Sequence, residues 1–339
     1  MPEFRKDPVI GRWVIIASER ALRPSDFPHA PQFNDDASKC PFCAGHEAIT
    51  PPEIIAYHPP GREKNKAGWW VRVVPNKYPA LQIGGDMERE GEGMYDRMNG
   101  VGAHEVIVET PDHRSHWADM QIKQLEDVLW AYRDRMTDLK KDRRFKYILV
   151  FKNYGKSAGA SLSHPHSQII AMPMVPIRVA QEMEGAQRHY GFKDRCIFCD
   201  MIKEEIRSAR RIVGESDGFI AFEPYASRFP FETWVLPKAH KGHFDAITGD
   251  ESHELALILK QVMAKLRDTL QDPPLNLLIH TTPVQDAECP YYHWHMEIMP
   301  KLTHVAGFEW GTGCYINAVA PERAAELLNL RLAGNHGKE

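Results

Sequence analysis

The sequence predicts an α+β protein built from two tandem copies of one module. The first observation is a repeated Cys-x-x-Cys pair, formed by Cys40 and Cys43 and again by Cys196 and Cys199. Each pair is followed by the same order of features: a β-branched run, a His-x-x-His segment, an amphipathic pattern, an apolar run and a His-x-His segment. Short strands that alternate with single helices favour largely antiparallel sheets with packed helices.

The helices and strands of the two copies follow from their apolar periodicity. Residues 122–139 and 255–270 carry apolar side chains three and four positions apart, which predicts one helix in each copy. The runs KYILVF at 146–151 and LNLLIH at 275–280 predict the strands that follow those helices. Both halves of the chain therefore contain the same helix and strand unit.

The boundary between the copies is predicted to be a linking helix. We expect an N-terminal module over 1–175, a linking helix over 176–195, which is rich in Glu, Gln and Ala, and a C-terminal module over 196–339. The polar, Gly-rich segment 84–100 predicts a mobile surface loop. A last helix is expected to begin after Pro321.

Composition and charge argue against several classes of protein. The chain has 339 residues, of which 43% are hydrophobic and 26% charged, as in globular enzymes and unlike disordered or fibrous chains. A formal charge of -4 without a basic block argues against nucleic acid as a partner. The sequence has neither an apolar leader nor an apolar stretch that could span a bilayer, so we expect a cytoplasmic protein without a membrane partner.

The paired cysteines predict metal sites. In a reducing compartment such pairs bind metals more often than they form disulfides, and zinc favours tetrahedral sites of thiolate and imidazole. We predict one or two structural zinc sites that protein ligands fill completely, which leaves no open position for water. The predicted ligands are Cys40, Cys43, His113 and His164 in the first site, and Cys196, Cys199, His240 and His293 in the second.

The remaining histidines leave alternatives open. His116 and His243 follow His113 and His240 at matching positions, and this spacing could also bring them near the metal. A surface or capping role is the simpler interpretation of any single histidine in a chain that contains 17.

The segment from His164 to Gln168 is the candidate catalytic strand. Alternate residues of a strand point to one face, and Pro165 stiffens the backbone, so His166 would be held beside a predicted zinc ligand. A neutral imidazole can attack phosphorus through its free ring nitrogen, and Gln168 can donate to a phosphate oxygen in the transition state. The small residues of 153–161 would let backbone amides approach a phosphate. The alternative is that His166 is a third metal ligand or a satisfied core histidine.

The second copy differs at the position that matches Gln168. Glu297 stands there, and a carboxylate would repel an anionic phosphate. The second copy is therefore predicted to be structurally retained and catalytically silent.

Together these motifs resemble the galactose-1-phosphate uridylyltransferase branch of the histidine-triad superfamily. The likeness runs through RKDPVIGRWVIIASERALRP, CPFC, VVPNKYPAL, HEVIVETPDH and HPHSQ to the helix after Pro321, and so covers nearly the whole chain. The resemblance implies two histidine-triad-like modules, a homodimer and ping-pong nucleotidyl transfer. A nucleoside-diphosphate sugar would give its nucleoside monophosphate to His166 and release a sugar 1-phosphate, and a second sugar 1-phosphate would then accept the nucleotide.

The resemblance also assigns substrate-binding residues. Arg20 and Arg23 match the family's phosphate-contacting arginines, whose guanidinium forks suit phosphate. Asn76 matches a residue that contacts the nucleoside, and Asn153 and Ser161 match nucleotide and phosphate contacts.

The resemblance leaves the second metal site open. Some members have a cysteine site like the one at Cys196 and Cys199, whereas others have a different metal site to which Glu182, His280 and His295 would correspond. We favour the cysteine site, because thiolates hold zinc more strongly than scattered carboxylates.

Three departures affect the substrate assignment. Ser167 replaces a glycine that is usual in uridylyltransferases, Lys77 stands where an aspartate often occurs, and 307–319 lacks the pattern associated with galactose 1-phosphate. These features resemble the ADP-glucose phosphorylase relatives, in which inorganic phosphate is the acceptor.

Our leading hypothesis is a uridylyltransferase of galactose metabolism that uses UDP-glucose and a hexose 1-phosphate. The alternatives are an ADP-glucose phosphorylase, a zinc-stabilised nucleotide-binding module without turnover, and a hydrolase that passes the nucleotide to water.

Overall fold

The computed structural model describes residues 1–20, 36–284 and 289–333. Within these residues, strands and helices form the mixed α+β architecture that the sequence predicts. The strands are β1 (Glu3–Lys6), β2 (Trp13–Ile16), β3 (Ile55–Tyr57), β4 (Val71–Pro75), β5 (Glu90–Glu92), β6 (Tyr95–Arg97), β7 (Ala103–Val108), β8 (Tyr147–Tyr154), β9 (His166–Met172), β10 (Ile212–Glu215), β11 (Phe219–Phe222), β12 (Thr233–Pro237), β13 (Leu275–His280), β14 (His295–Pro300) and β15 (Tyr315–Asn317). The α-helices are α1 (Ile122–Leu139), α2 (Ile177–Lys193), α3 (Ile197–Ser208), α4 (Gly249–Leu270), α5 (Gly307–Thr312) and α6 (Pro321–Ala333).

One central sheet runs through both copies of the module. Its strand order over the described residues is β10-β11-β12-β14-β13-β8-β9-β7-β4-β3, and neighbouring strands are antiparallel. The order is symmetric about its centre, where β8 of the first copy pairs with β13 of the second. The two copies therefore share a continuous sheet. A smaller sheet joins β1 and β2 to β15, with β15 parallel to β2.

The long helices of the two copies pack on each other and on the strands of their own halves. Leu129 of α1 and Leu259 of α4 are buried in one core that draws on both copies. α4 begins with a capping box in which Thr248 and Glu251 bond each other's backbone N–H groups. None of the helices in the described part of the chain combines the length and apolar character that crossing a bilayer requires.

Most element predictions are confirmed. The helix predicted over 122–139 is α1, and the strand predicted over 275–280 is β13. The segment predicted as a linking helix contains α2, and α6 begins at Pro321, whose fixed φ and missing N–H suit the first turn of a helix. The apolar periodicity was a sufficient signal because these elements bury one face.

The prediction of a loop over 84–100 is wrong in part, because β5 and β6 form a hairpin there. The two strands pair around Gly93, whose φ of 62° lies in the left-handed region, and Arg97 Nε donates to Glu90 at 2.9 Å. All residues of both strands are exposed. No alternation of buried and exposed side chains therefore marks them as strands in the sequence.

A buried guanidinium fixes the segment that leads into β3. Arg72 on β4 donates to Glu53 Oε2 at 3.0 Å and to Thr50 Oγ1 at 2.9 Å, and Arg62 donates to both oxygens of Glu53 at 2.8 Å. Burial alone would raise the pKa of Glu53. The hydrogen bonds from Arg62, from the backbone of Asn65 and from Arg72 outweigh burial and lower that pKa to about 2.

We expect Glu53→Gln to reduce stability at neutral pH and to have a smaller effect in acid. Because the folded-state pKa lies below the ordinary value of 4.5, the ionised carboxylate contributes stability above pH 4.5 that is lost as the pH falls toward about 2. Thermal melts across this range check the expectation, with the exposed Glu63→Gln as control. A difference from the wild type that stays constant over the whole range would contradict it.

Candidate active site and metal centres

The first predicted metal site is assembled by the fold. The ligand atoms of Cys40, Cys43, His113 and His164 all lie within 4.8 Å of one another. Cys43 Sγ is 3.3 Å from Nδ1 of His113 and 3.6 Å from Nδ1 of His164. His164 Nε2 donates to the Thr110 carbonyl at 2.7 Å, which leaves the Nδ1 lone pair facing the thiols. The group could hold a metal ion with four protein ligands.

The second predicted metal site has the same design. Cys196, Cys199, His240 and His293 lie within the same limit of 4.8 Å, with Cys199 Sγ at 3.5 Å from His240 Nδ1 and 3.6 Å from His293 Nδ1. His293 Nε2 donates to the Pro237 carbonyl at 2.9 Å. This set too could hold a metal ion, and its Nε2 hydrogen bond corresponds to that of His164.

A third group brings together the residues of the alternative metal site. Glu182, His280, His295 and Glu297 have ligand atoms within 4.8 Å of one another. Glu182 accepts from His280 Nδ1 and from the Tyr292 hydroxyl, both at 2.9 Å. The cysteine set and this set are separate clusters of side chains. Which of the two holds a metal ion stays a prediction.

His166 stands at the start of β9 with one ring nitrogen fixed by the backbone. Its Nδ1 lies 2.7 Å from the carbonyl oxygen of His164. Since a carbonyl only accepts, Nδ1 carries the proton and Nε2 keeps its lone pair. Burial is the main cause that lowers the pKa of His166, and the positive charge of Lys152 lowers that pKa further. The neutral ring is therefore favoured. His166 does not belong to any of the metal-ligand groups found among the described residues.

His166 lines a cavity of about 350 Å³, a volume within the usual range for small-molecule sites. Four predicted site residues lie in its wall, namely Asn76, Ser161, His166 and Gln168. Apolar and polar side chains, among them the cationic Lys77, complete the lining. These are Pro41, Phe42, Ile49, Thr50, Pro51, Val74, Pro75, Lys77, Tyr78, Val106 and Leu162.

The amide of Gln168 is held by two neighbours. Its Oε1 lies 2.8 Å from His104 Nε2 and 3.4 Å from Asn76 Nδ2. Asn76 Oδ1 in turn accepts from the Tyr78 N–H at 2.9 Å. His104 was not predicted as a site residue, although it begins the HEVIVET motif, because nothing in its spacing links it to the HPHSQ segment.

The other predicted substrate contacts are placed differently. Asn153 lies on β8 and accepts from Asn276 Nδ2 at 2.8 Å, and it is not among the residues that line the cavity. The side chain of Arg20 and the whole of Arg23 lie outside the described residues. The roles of these three residues stay predictions.

Comparison with known proteins identifies the family. Residues 1–176 match the family described as galactose-1-phosphate uridyl transferase, N-terminal domain, and residues 102–337 match a domain of unknown function. A galactose-1-phosphate uridylyltransferase from Thermotoga maritima is 30% identical over 97% of this chain and 98% of its own length. This chain belongs to the galactose-1-phosphate uridylyltransferase family.

The chain is also similar to ADP-glucose phosphorylases. An ADP-glucose phosphorylase from Arabidopsis thaliana is 39% identical over 96% of this chain and 92% of its own length. The crystal structure of an ADP-glucose phosphorylase from the same plant with bound ADP-glucose aligns with a TM-score of 0.81 at 37% identity, and covers 97% of this chain and 98% of that one. The predicted fold class and the predicted family are confirmed.

In this uridylyltransferase-family chain, a buried polar network lies beneath His166. Glu109 accepts from Lys152 Nζ and Trp117 Nε1, both at 2.7 Å, and from the Ser167 hydroxyl. Lys152 also donates to the backbone carbonyl of His166 at 3.2 Å. The network gives Ser167 a partner on the side of β9 opposite the cavity. No local pattern in the sequence predicts this network.

The electrostatics of the network depend on one ion pair. Burial alone would raise the pKa of Glu109, but Lys152, Ser167 and Trp117 outweigh it, and the pKa lies below its ordinary value. Glu109 is 0% exposed and Lys152 is 4% exposed. Each charge therefore depends on the other for its neutralisation.

The matching histidine of the second copy has very different surroundings. His295 Nδ1 lies 3.1 Å from the carbonyl of His293, as His166 does from that of His164. However, the His295 ring is fully buried and stacks on Phe198 and Trp234, with centroids 5.0 and 4.9 Å away. Phe42 lies at a similar 5.3 Å from His166, so the ring that differs is Trp234, which pairs with Glu297 as Val106 pairs with Gln168.

We expect Lys152→Met to lower the free energy of unfolding by about 3–5 kcal/mol, because it leaves a buried carboxylate without its cation. Urea unfolding measures the change, with the exposed Lys156→Met as the matched control. Lys152→Met combined with Glu109→Leu should be more stable than Lys152→Met alone. Equal stability of the Lys152 and Lys156 variants would contradict this account.

Proposed function

We propose that this protein is a nucleotidyltransferase that moves a nucleoside monophosphate from a nucleoside-diphosphate hexose to a second phosphate-bearing acceptor through His166. The observation that carries the proposal is the bond from His166 Nδ1 to the His164 carbonyl. It leaves Nε2 as the nucleophilic nitrogen of a histidine in the cavity wall. Gln168, in the same wall, supports the proposal because its amide can donate to phosphate.

In the first half-reaction, the lone pair of His166 Nε2 attacks the α-phosphorus of the donor. A nitrogen–phosphorus bond forms, the bond from phosphorus to the bridging oxygen breaks, and hexose 1-phosphate leaves with the bonding electrons. The ring then carries a positive charge, which the hydrogen bond from Nδ1 to the His164 carbonyl stabilises. In the second half-reaction, a phosphate oxygen of the acceptor attacks the same phosphorus and the histidine is released neutral.

Uridylyl transfer between UDP-glucose and galactose 1-phosphate is the leading candidate reaction. Its support is the match of residues 1–176 to the uridyl transferase family and the identity of 30% to the Thermotoga maritima enzyme. Adenylyl transfer from ADP-glucose to inorganic phosphate is the second candidate. It is supported by the identity of 39% to the Arabidopsis thaliana phosphorylase and by the departures at Ser167, Lys77 and 307–319.

Zinc is the ion that we propose for the two cysteine-containing groups. Two thiolates and two imidazoles form a donor set typical of structural zinc. Bound zinc would supply charge and rigidity at Cys40, Cys43, His113 and His164, next to the strand that begins with His166. We also propose that the protein is located in the cytoplasm and forms a homodimer.

Labelling of the protein by sugar nucleotides tests the proposed function. Incubation with UDP-glucose or ADP-glucose, each labelled in the α-phosphate, should leave acid-labile label on His166 from the correct donor. The addition of hexose 1-phosphate or inorganic phosphate should remove the label from a uridylyl or an adenylyl enzyme, respectively. Release of label by water alone would indicate a hydrolase.

A variant identifies the nucleophile in the same assay. His166→Ala should lower transfer by at least about a thousandfold, because the covalent route is lost. The matched control is His253→Ala, since His253 is an exposed histidine on α4 that does not line the cavity. Absence of label on the wild-type protein from both donors would favour a nucleotide-binding module without turnover.

Metal removal tests the zinc proposal. Cys40→Ser should lower the zinc content by about one ion per chain and reduce the melting temperature, because structural metal binding contributes to folding. Cys314→Ser is the control, since Cys314 belongs to none of the groups found among the described residues. Unchanged zinc content in Cys40→Ser, measured by plasma mass spectrometry, would contradict the first site.

A further inference from the structure

We infer that His104 is a positioning residue that orients the carboxamide of Gln168 for nucleotidyl transfer, an inference that rests on the proposed function. His104 lies on β7, next to β9, and its half-buried ring reaches the side chain of Gln168. His104 does not line the cavity itself, whereas Gln168 does. Any effect of His104 on the substrate therefore passes through Gln168.

The backbone of Ala80 determines which nitrogen of His104 carries the proton. The Ala80 N–H donates to His104 Nδ1 at 3.1 Å. A backbone N–H only donates, so Nδ1 must hold a lone pair, and the proton of the neutral ring is on Nε2. The ring therefore presents a hydrogen-bond donor to Gln168.

The protonated nitrogen determines the orientation of Gln168. His104 Nε2 lies 2.8 Å from Gln168 Oε1, so the N–H donates to the oxygen end of the carboxamide. Asn76 Nδ2 lies 3.1 Å from His104 Nε2 and 3.4 Å from Gln168 Oε1. Asn76 Nδ2 and His104 Nε2 both carry hydrogens in this tautomer, so they do not bond each other. Both are donors beside Gln168 Oε1.

The orientation matters because the two ends of a carboxamide have similar shapes and opposite hydrogen-bonding roles. With Oε1 held by His104, the NH₂ group of Gln168 is the end left to donate to an anionic phosphate, and none of the described residues accepts from it. The reversed amide would place its NH₂ against the N–H of His104 and its oxygen toward the phosphate. Both contacts would be repulsive.

The inference explains the position of Asn76 in the cavity wall. Its Oδ1 accepts from the Tyr78 N–H, which keeps the turn from Asn76 to Ala80 closed and holds the Ala80 N–H against the His104 ring. This turn, His104 and Gln168 form a chain of hydrogen bonds that ends at the cavity. A fixed donor of this kind requires no reorganisation when charge develops on the phosphoryl group.

Kinetics of the labelling half-reaction test the inference with a double-mutant cycle. Gln168→Ala should lower kcat by about 10²–10³-fold, as for other single transition-state donors. His104→Leu should lower kcat by about tenfold with KM changed less than about twofold, since one orienting hydrogen bond is lost. In the Gln168→Ala background, His104→Leu should have no further effect on kcat.

A conservative variant separates positioning from packing. The amide of His104→Gln can accept from the Ala80 N–H and donate to Gln168, so its kcat should return to within about threefold of the wild type. A kcat of His104→Leu within about twofold of the wild type would overturn the inference. An equal loss of kcat from His104→Leu in the wild type and in Gln168→Ala would also overturn the inference. So would a kcat of His104→Gln that does not recover.

A measurement that is independent of turnover distinguishes failure of this inference from failure of the proposed function. Two-bond proton–nitrogen correlation spectra report the tautomer of each histidine in the folded protein. We expect His104 in the Nε2–H form, and the Nδ1–H form would overturn the inference whether or not the protein transfers nucleotides. Loss of labelling from every donor, with His104 in the Nε2–H form, would contradict the proposed function alone.

Discussion

One hydrogen bond, from His166 Nδ1 to the carbonyl of His164, connects the candidate metal centre to the candidate nucleophile. His164 uses three of its polar groups at once: Nδ1 faces Cys43, Nε2 bonds the Thr110 carbonyl and its own carbonyl fixes the His166 ring. The backbone therefore determines the tautomer of His166, and a substrate is not needed to set it. A nucleophile defined in this way needs little rearrangement before it reacts.

The two copies show how one backbone arrangement can be used in different surroundings. In both copies a cysteine pair and two histidines assemble, and the second histidine of each His-x-His segment bonds the carbonyl of the first. Around His166 a cavity is open, whereas Trp234 stacks on His295 from the register position that Val106 occupies beside Gln168. Glu297 is further neutralised by Arg228 at 2.5 Å. Phe198 has a counterpart in Phe42, whose ring centroid lies 5.3 Å from that of His166. The difference therefore comes from Trp234, Glu297 and Arg228.

The sequence was sufficient to predict elements and site residues wherever the signal is local or repeated along the chain. The Cys-x-x-Cys pairs and their histidines, α1 and β13 could be predicted because spacing and periodicity are written along the chain. His104 and the pair of Glu109 and Lys152 could not be predicted, because their partners are set by the register of β7, β8 and β9. The exposed hairpin of β5 and β6 was missed for another reason, since it buries nothing and so has no apolar pattern.

The pairing of β8 with β13 has a consequence for how the protein can be divided. Residues 275–279 of β13 pair with residues 150–154 of β8 across the centre of the sheet. A fragment that contained one copy alone would carry a bare row of backbone N–H and C=O groups and an uncovered apolar surface, a known template for aggregation. The second copy therefore supports the first as a folding partner, even though aromatic rings pack closely around its own histidine.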